Sequence, residues 1–443
     1  MARFPRHKTC KGCIKTPQSQ PPNRKSQKMK HLTFGALALL LSSTSSFADT
    51  EISYLLWGSP EEGKVWAHLA DEFMADNPGI KVKVEVADWD SYWEKLKVQI
   101  AGGTPPDVFA MDAPLFPDWQ ARGVLLNLQP WLDKDPGVLD GVYPQTLEAY
   151  KMPDGYYGLP RDFQTVVLYY NKDMFDAGGV AYPTADWTWD DLRAAAKTLT
   201  LDKTGDGQTD QWGFWAEVYD LEPFWGSVVW SYGGEIVDAA ASKTLIGLPE
   251  GAAAFQFIKD MWMGDQSMPT EEQLQQYGYD GFLAGISAMG VSGHWSVPDY
   301  AALPFKWDVA PMPAGPKGKA TSVNSAGFVI AKDSKNPDAA WEFVKFAFGE
   351  KGQAELAQIG FAIPVRQSVA ESPAFLGQPT KIDHKMFLDA LAYAHMKPVF
   401  RGYEEWSSAV GDGLHTIWSG EAELADGLAE AVTGGDDALA RNR

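Results

Sequence analysis

Residues 158–176, GLPRDFQTVVLYYNKDMFD, decide how this chain is read. A glycine-proline turn feeds a β-branched run, Thr165 to Tyr170, which ends in Tyr-Tyr-Asn-Lys. Such a run, bounded by turn and capping residues, predicts a strand. Its place between two long mixed α/β segments makes it a strand crossing from one lobe to another.

The segment before it has a clear order. Glu51 to Trp57 predicts a strand, and Ser59-Pro60-Glu61-Glu62 supplies an N-cap, a proline at the first helical position and a capping-box glutamate. Ile80, Val82, Val84 and Val86 alternate as a second strand, Ser91 with Glu94 is expected to cap a second helix, and Asp107 to Met111 forms a third strand. This β-α-β-α-β order implies a parallel sheet covered by helices. Ligands of such sheets sit beyond the carboxyl ends of the strands. Trp57, Asp88 with Trp89, and Phe109 to Asp112 are placed there, offering aromatic and carboxylate groups on one edge.

After the crossing strand, Thr188 to Asp191 caps a helix through Leu199, and mixed α/β sequence continues to about Asp308. Val309 to Pro316 has the composition of a connector, Gly327 to Ala331 predicts a short strand, and Asn336-Pro337 opens a helix ending near Gly349. From about Ile382 the tail is expected to be largely helical.

The first 48 residues hold nine Lys or Arg and no acid. They end in an apolar run, Leu32 to Leu41, followed by Ser46 and Ala48 at the minus-three and minus-one positions of a signal peptide cleaved before Asp49. Met29 opens a leader of ordinary length, so 1–28 reads as an over-extended start or a long n-region. Cys10 and Cys13 fall inside it and would leave with it, which removes a CxxC zinc or redox site from the mature protein. Taking nine positive charges from a net −20 leaves −29 on the remaining 395 residues, so nucleic acid and anionic membrane surfaces are disfavoured partners. About 395 residues with 45% hydrophobic content favours two lobes over one domain.

The motifs GGTPPDVFAMD (102–112), GLP followed by VVLYYNKDMF, TWDDL (188–192), SGHW (292–295), VAPMPAGPKG (309–318) and NPDAAWEFVKF (336–346) together resemble, in order and spacing, the extracellular solute-binding proteins of ABC importers, the large family that includes the maltose-binding protein. That resemblance implies an α/β, two-lobed periplasmic-binding-protein fold of type II with a hinge between discontinuous lobes. Lobe 1 would be 49–164 with 312–360, and lobe 2 would be 165–311 with 361–443. It further implies a monomeric periplasmic protein without a cofactor. Such a protein would bind a carbohydrate in the interlobe cleft and deliver it to permease subunits in the inner membrane.

All 18 tryptophans lie beyond the leader. Aromatic faces suit pyranoses, whose axial C–H groups form an apolar patch while the hydroxyls need polar partners. Trp66, Trp93, Trp341 and Trp418 sit at helical spacing among apolar neighbours and are expected in the core. By resemblance, Trp295 stacks on ligand, Trp225 and Trp406 match positions that contribute stacking aromatics, and Asp112 accepts bonds from sugar hydroxyls. Asp162 and Gln164 match acidic or amide ligand contacts, while Phe109 stands where a relative carries tryptophan. Arg366 would grip vicinal hydroxyls or pair with an acid across the hinge.

The loop Asp202 to Asp210 has donors spaced like an EF-hand but Gly213 at the position of the bidentate glutamate, so a surface turn is expected. Tyr169 and Tyr170, adjacent on a strand, face opposite sides and cannot share a metal. Two alternatives to a sugar carrier stand beside it. One is a binder of a polyol, glycerol phosphodiester or peptide, the phosphodiester being disfavoured by cleft loops poor in Arg and Lys. The other is an exported carbohydrate-active enzyme with paired carboxylates.

Overall fold

The computed structural model describes residues 49–360 and 362–442. The leader, with Cys10, Cys13, Ser46 and Ala48, lies outside the described residues. Nine strands and six helices carry the argument. They are β1 (Thr50–Trp57), α1 (Pro60–Asp76), β2 (Ile80–Ala87), α2 (Trp89–Ala101), β3 (Val108–Asp112), β4 (Leu159–Thr165), β5 (Val167–Asn171), α3 (Trp189–Leu199), β6 (Met289–Ser292), β7 (Trp307–Ala310), β8 (Thr321–Ile330), α4 (Pro337–Phe348), β9 (Ala394–Met396), α5 (Tyr403–Trp418) and α6 (Leu424–Arg441).

These strands form two sheets. The larger has six strands in the order β9-β8-β3-β1-β2, with β4 also paired to β8. β1 runs parallel to both β2 and β3, as the β-α-β-α-β order predicts, and β8 closes on β3 antiparallel. The smaller sheet has three strands in the order β6-β5-β7, all antiparallel.

Local chemistry explains the helix starts. At α1, Ser59 Oγ accepts from Glu62 N (3.3 Å) while Glu62 Oε2 accepts from Ser59 N (2.6 Å), a complete capping box. Thr188 and Asp191 do the same for α3. At α2 the expected Ser91 cap is replaced. Asp88, in extended backbone, accepts from Ser91 N at 3.0 Å, so the helix starts at Trp89 and places that indole in its first turn. Trp66, Trp93, Trp341 and Trp418 are all buried, as their spacing predicts.

The sequence understates β8. Only Gly327 to Ala331 was expected as strand, yet ten residues from Thr321 are extended and every one is buried. Thr321, Ser322, Asn324 and Ser325 look like loop residues, but each hydroxyl or amide is hydrogen-bonded inside the protein. Those bonds make burial of a polar strand affordable. Similarly, the expected helical tail contains β9, which pairs parallel with the first residues of β8.

The crossing run is two strands rather than one. β4 belongs to the larger sheet, β5 to the smaller, and the break falls at Val166. There Thr321 Oγ1 donates to Val166 O (2.7 Å) and accepts from Val166 N (3.2 Å), taking up the backbone groups at the joint. β4, β8 and β9 therefore lie side by side where the chain passes between sheets: Val323 pairs with Thr165 on one side and Met396 on the other. Of the two tyrosines on β5, Tyr169 donates to Gly293 O (2.7 Å) and Tyr170 packs on Phe175, on opposite faces as expected.

Thr321→Val keeps the shape of this fully buried side chain and removes both bonds. The cost is expected to be about 1–3 kcal/mol, because Val166 is left with unsatisfied polar groups. A lower urea midpoint at unchanged m-value is the signature, and an unchanged midpoint would show that the link carries no stability.

Candidate functional site

A cavity of about 350 Å³ opens beyond the carboxyl ends of β1 and β3, and it adjoins a second of about 710 Å³. They share Trp89, Asp112, Glu217, Asp220 and Lys397 as walls, so the two form one elongated cleft.

Its aromatic face is a cluster at the ends of β1 and α2. Trp57 stacks on Trp93 (centroids 5.7 Å, 29°) and meets Trp89 edge to face at 5.1 Å. The Arg161 guanidinium lies 5.2 Å from the Trp57 ring and 5.2 Å from that of Trp66. Trp89 remains 44% exposed, a large apolar surface left uncovered at the mouth. From the other side comes Trp295, just after β6. A Cβ at Gly293 would lie 2.0 Å from the Trp295 ring, so the glycine of SGHW is what lets the indole fold over the backbone.

The polar wall rests on one buried ammonium. Lys397, just past β9, bonds Glu222 Oε2 at 3.0 Å and lies 3.7 Å from Asp112 Oδ2. Asn324 Nδ2 donates to the same two carboxylates, at 2.6 Å to Asp112 and 2.9 Å to Glu222. Burial pushes both carboxyls up, Glu222 to about 7, while Lys397 pulls against that rise. Burial alone would lower Lys397, but Asp112, Tyr403 and Glu222 outweigh it and hold the ammonium well above its usual range. On the adjoining strand Arg161 Nε bonds Asp162 Oδ2 at 2.6 Å.

Of the residues expected at the site, the structure brings Trp57, Asp112, Asp162, Gln164 and Trp295 together on the smaller cavity. The other five are placed elsewhere. Asp88 is spent on the α2 N-cap, and its bond from Ser91 N holds the carboxyl below its usual value. Phe109 is fully buried in central strand β3, its ring near Trp119, because both faces of that strand are covered. Trp225 is buried against Phe255 and donates to Tyr219 O. Trp406 donates to Thr244 Oγ1 and packs on Phe400. Arg366 does not line the cleft and makes no ion pair among the described residues. Its guanidinium donates to the carbonyls of Phe348, Asp140 and Val138, and so fastens the end of α4 to the turn at 138–140.

Sequence reasoning missed Glu62, Arg161, Glu217, Asp220, Glu222, Asn324 and Lys397. Arg161 lies inside the opening motif, and Glu222 begins the Glu-Pro-Phe-Trp run whose tryptophan drew attention instead. In the turn Leu221–Trp225 it is the glutamate that faces the cleft. Nothing local marks Lys397. In the Asp202 to Asp210 loop, Asp202 accepts from the backbone of Gly205, Asp206 and Gly207, and Asp210 from Lys203 and Thr204, so the carboxylates close a turn.

Lys397→Met leaves Asp112 and Glu222 buried without their cation, and should cost about 3–5 kcal/mol near pH 8. The carboxyls already titrate higher in the folded than in the unfolded chain. The Glu222 contribution is thus complete below about pH 4.5 and is lost as pH rises through about 7, and Asp112, also raised by burial, acts in the same direction. Removing the ammonium raises them further, so the deficit in melting temperature relative to the unmodified protein should widen from pH 5 to pH 8. A deficit that is constant across that range would show that Lys397 acts through packing alone.

The sequence profile of the bacterial extracellular solute-binding proteins matches residues 57–354. A galactooligosaccharide-binding protein of Bacillus subtilis is 24% identical over 408 residues, 88% of this chain and 90% of that one. A maltotriose-binding protein of Pyrococcus abyssi is 27% identical over 348 residues, 76% and 71% respectively. Among solved structures, an ABC substrate-binding protein of Listeria monocytogenes in complex with cycloalternan superposes with a TM-score of 0.81 at 29% identity, covering 88% of this chain and 99% of that one. The architecture is therefore the type II periplasmic-binding-protein fold. With two thirds of its length under the family profile, the chain belongs to the bacterial extracellular solute-binding proteins, which bind a solute rather than transform it.

Proposed function

We propose that this chain is the periplasmic substrate-binding component of an ABC importer, taking an oligosaccharide into the cleft and delivering it to permease subunits in the membrane. The observation that carries this reading is the cleft wall itself. Trp57, Trp89 and Trp295 offer apolar faces around a ring of carboxylates and amides, which is the pairing a pyranose demands. Its length supports several sugar units, since two adjoining cavities share one wall. The relatives named for galactooligosaccharides and maltotriose, and the neighbour holding cycloalternan, are consistent with it.

The phosphodiester alternative loses ground for a revised reason. Arg161 and Lys397 do stand in the cleft, but each is already ion-paired, so a phosphate would meet carboxylates rather than free cations. The carbohydrate-active enzyme is set aside by family membership.

Lobe boundaries of 49–164 with 312–360, and 165–311 with 361–443, remain the proposed moving bodies. The joint at Val166 and the passage from β7 to β8 supply the hinge. Closure gives the importer something to recognise, since a transporter distinguishes loaded from empty protein only through differential affinity for two states.

A thermal-shift panel of mono-, di- and oligosaccharides should contain a ligand that raises the melting temperature, by about 2.7 kcal/mol of linkage at a hundredfold excess over Kd. A shift with peptides or phosphodiesters and none with sugars would refute the reading. With that sugar, Trp295→Ala should weaken binding by about 1 kcal/mol, roughly fivefold in Kd, with the melting curve of the free protein retained. Unchanged affinity would return Trp295 to a structural role.

Small-angle scattering should show a smaller radius of gyration at saturating ligand. No change would argue against hinge closure.

A further inference from the structure

The two halves of the cleft are lined by different chemistry. The Arg161–Asp162 ion pair and Glu222 border only the smaller cavity. The larger cavity is lined instead by seven aromatic residues, against three on the smaller. Of the seven, Trp93, Trp215, Trp262 and Tyr403 are buried and Tyr219 is half-buried, so their rings are largely taken up by packing. Trp89 and Tyr279 are not. At 44% and 55% exposure they are the most exposed of the Trp, Tyr and Phe side chains among the described residues. Apolar surface left open inside a concave wall marks a ligand-binding groove.

Tyr279 is held in that position at a backbone cost. Its φ is +68°, in the left-handed region that disfavours a residue with a bulky side chain, and it follows Gly278 at +76°. The other described non-glycine residues at positive φ are Ala241 and Gln266, and neither lines the cleft. The turn is nonetheless firmly fixed. Tyr279 N donates to Leu274 O at 3.3 Å, and the Asp280 carboxylate accepts from Phe282 N (2.9 Å), Leu283 N (2.8 Å) and the Tyr300 hydroxyl (2.8 Å). Tyr300 packs edge to face on Tyr169 of β5, which fastens the turn to the smaller sheet. Trp89 opens α2 beside the larger sheet, its ring set edge to face on Trp57 and Trp93. A backbone outlier that Gly or Asn would relieve, kept at an exposed ring in the cleft wall, points to a functional side chain.

We infer that the larger cavity is a second saccharide subsite, in which Tyr279 and Trp89 stack the units of a linear oligosaccharide that extend beyond a disaccharide. This rests on the oligosaccharide reading above and narrows it. The smaller cavity, with its ion-paired wall, selects the sugar, and the aromatic cavity selects chain length, because stacking asks only for the apolar face of a pyranose. Continuity identifies the occupant: the two cavities share a wall, so a chain rooted in one leads into the other. At about 350 Å³ the smaller cavity lies near the lower bound, about 300 Å³, of small-molecule pockets, and a longer chain has to continue into the larger.

The test uses calorimetry with linear maltooligosaccharides, cellooligosaccharides and β-1,4-galactooligosaccharides of two to five units. In a series that binds, affinity should rise at least about tenfold from the disaccharide to the tetrasaccharide. Tyr279→Asn removes the ring and suits the positive φ. It should weaken the tetrasaccharide about fivefold, leave the disaccharide within about twofold, and melt no lower than the unmodified protein. Tyr279→Phe keeps the ring and should keep the gain with length. Equal affinity for disaccharide and tetrasaccharide, or a wider panel in which only monosaccharides bind, would overturn the subsite while leaving a saccharide carrier standing. A Tyr279→Asn protein that loses both ligands equally, or melts lower, would overturn the role given to Tyr279. If no saccharide binds at all, both readings fall together.

Discussion

The ion-paired Lys397 is the constraint around which the rest of the cleft is arranged. Its ammonium joins Asp112 at the end of β3, Glu222 in the turn Leu221–Trp225 and its own position beyond β9, while Asn324 of β8 bonds the same two carboxylates. Four segments far apart in sequence are thus held to one point. The arrangement is expensive in desolvation and holds only with every partner in place, because a buried charge that loses its counter-ion is not easily accommodated. It also sits where β4, β8 and β9 run side by side between the sheets. The polar ligand wall and the proposed hinge therefore share residues, and filling the cleft changes the surroundings of groups at the joint.

The aromatic wall has the opposite character. Trp57, Trp89 and Trp93 pack against one another edge to face or stacked, with Arg161 over Trp57, so their orientations are fixed before any ligand arrives. Preorganised faces lose little side-chain entropy on binding. Trp295 approaches from across the cleft on a short turn after β6, tight against Gly293. A sugar ring between these faces would be gripped from both sheets, which couples occupancy to their relative position.

Capping explains much of what reads differently in three dimensions. Asp88 and Asp112 stand at comparable strand ends, yet one terminates in an extended residue that starts α2 and the other enters a short turn of Ala113 to Leu115 with no side-chain cap bond. The first carboxylate is consumed by helix backbone and the second is released to Lys397. Arg366 follows the same logic: three nearby carbonyls claim its donors before any sugar can.

What the sequence determined by itself was local and periodic. The capping boxes at Ser59 and Thr188, the alternation of β2, the parallel order of the first three strands and the strand at Tyr169 follow from short-range rules, and so does the position of Trp57, Asp112 and Trp295 at strand ends. The motif order was specific enough to identify the family. Only the tertiary structure decided which polar residues are buried. Thr321 to Ser325 resembles a loop until its bonds to Val166, Asp112 and Asp162 are seen, and Lys397 is one lysine among many until Asp112 and Glu222 close on it. The reason is physical: hydrophobic burial is written in the residue itself, whereas burial of a polar group depends on partners that the chain supplies from hundreds of residues away.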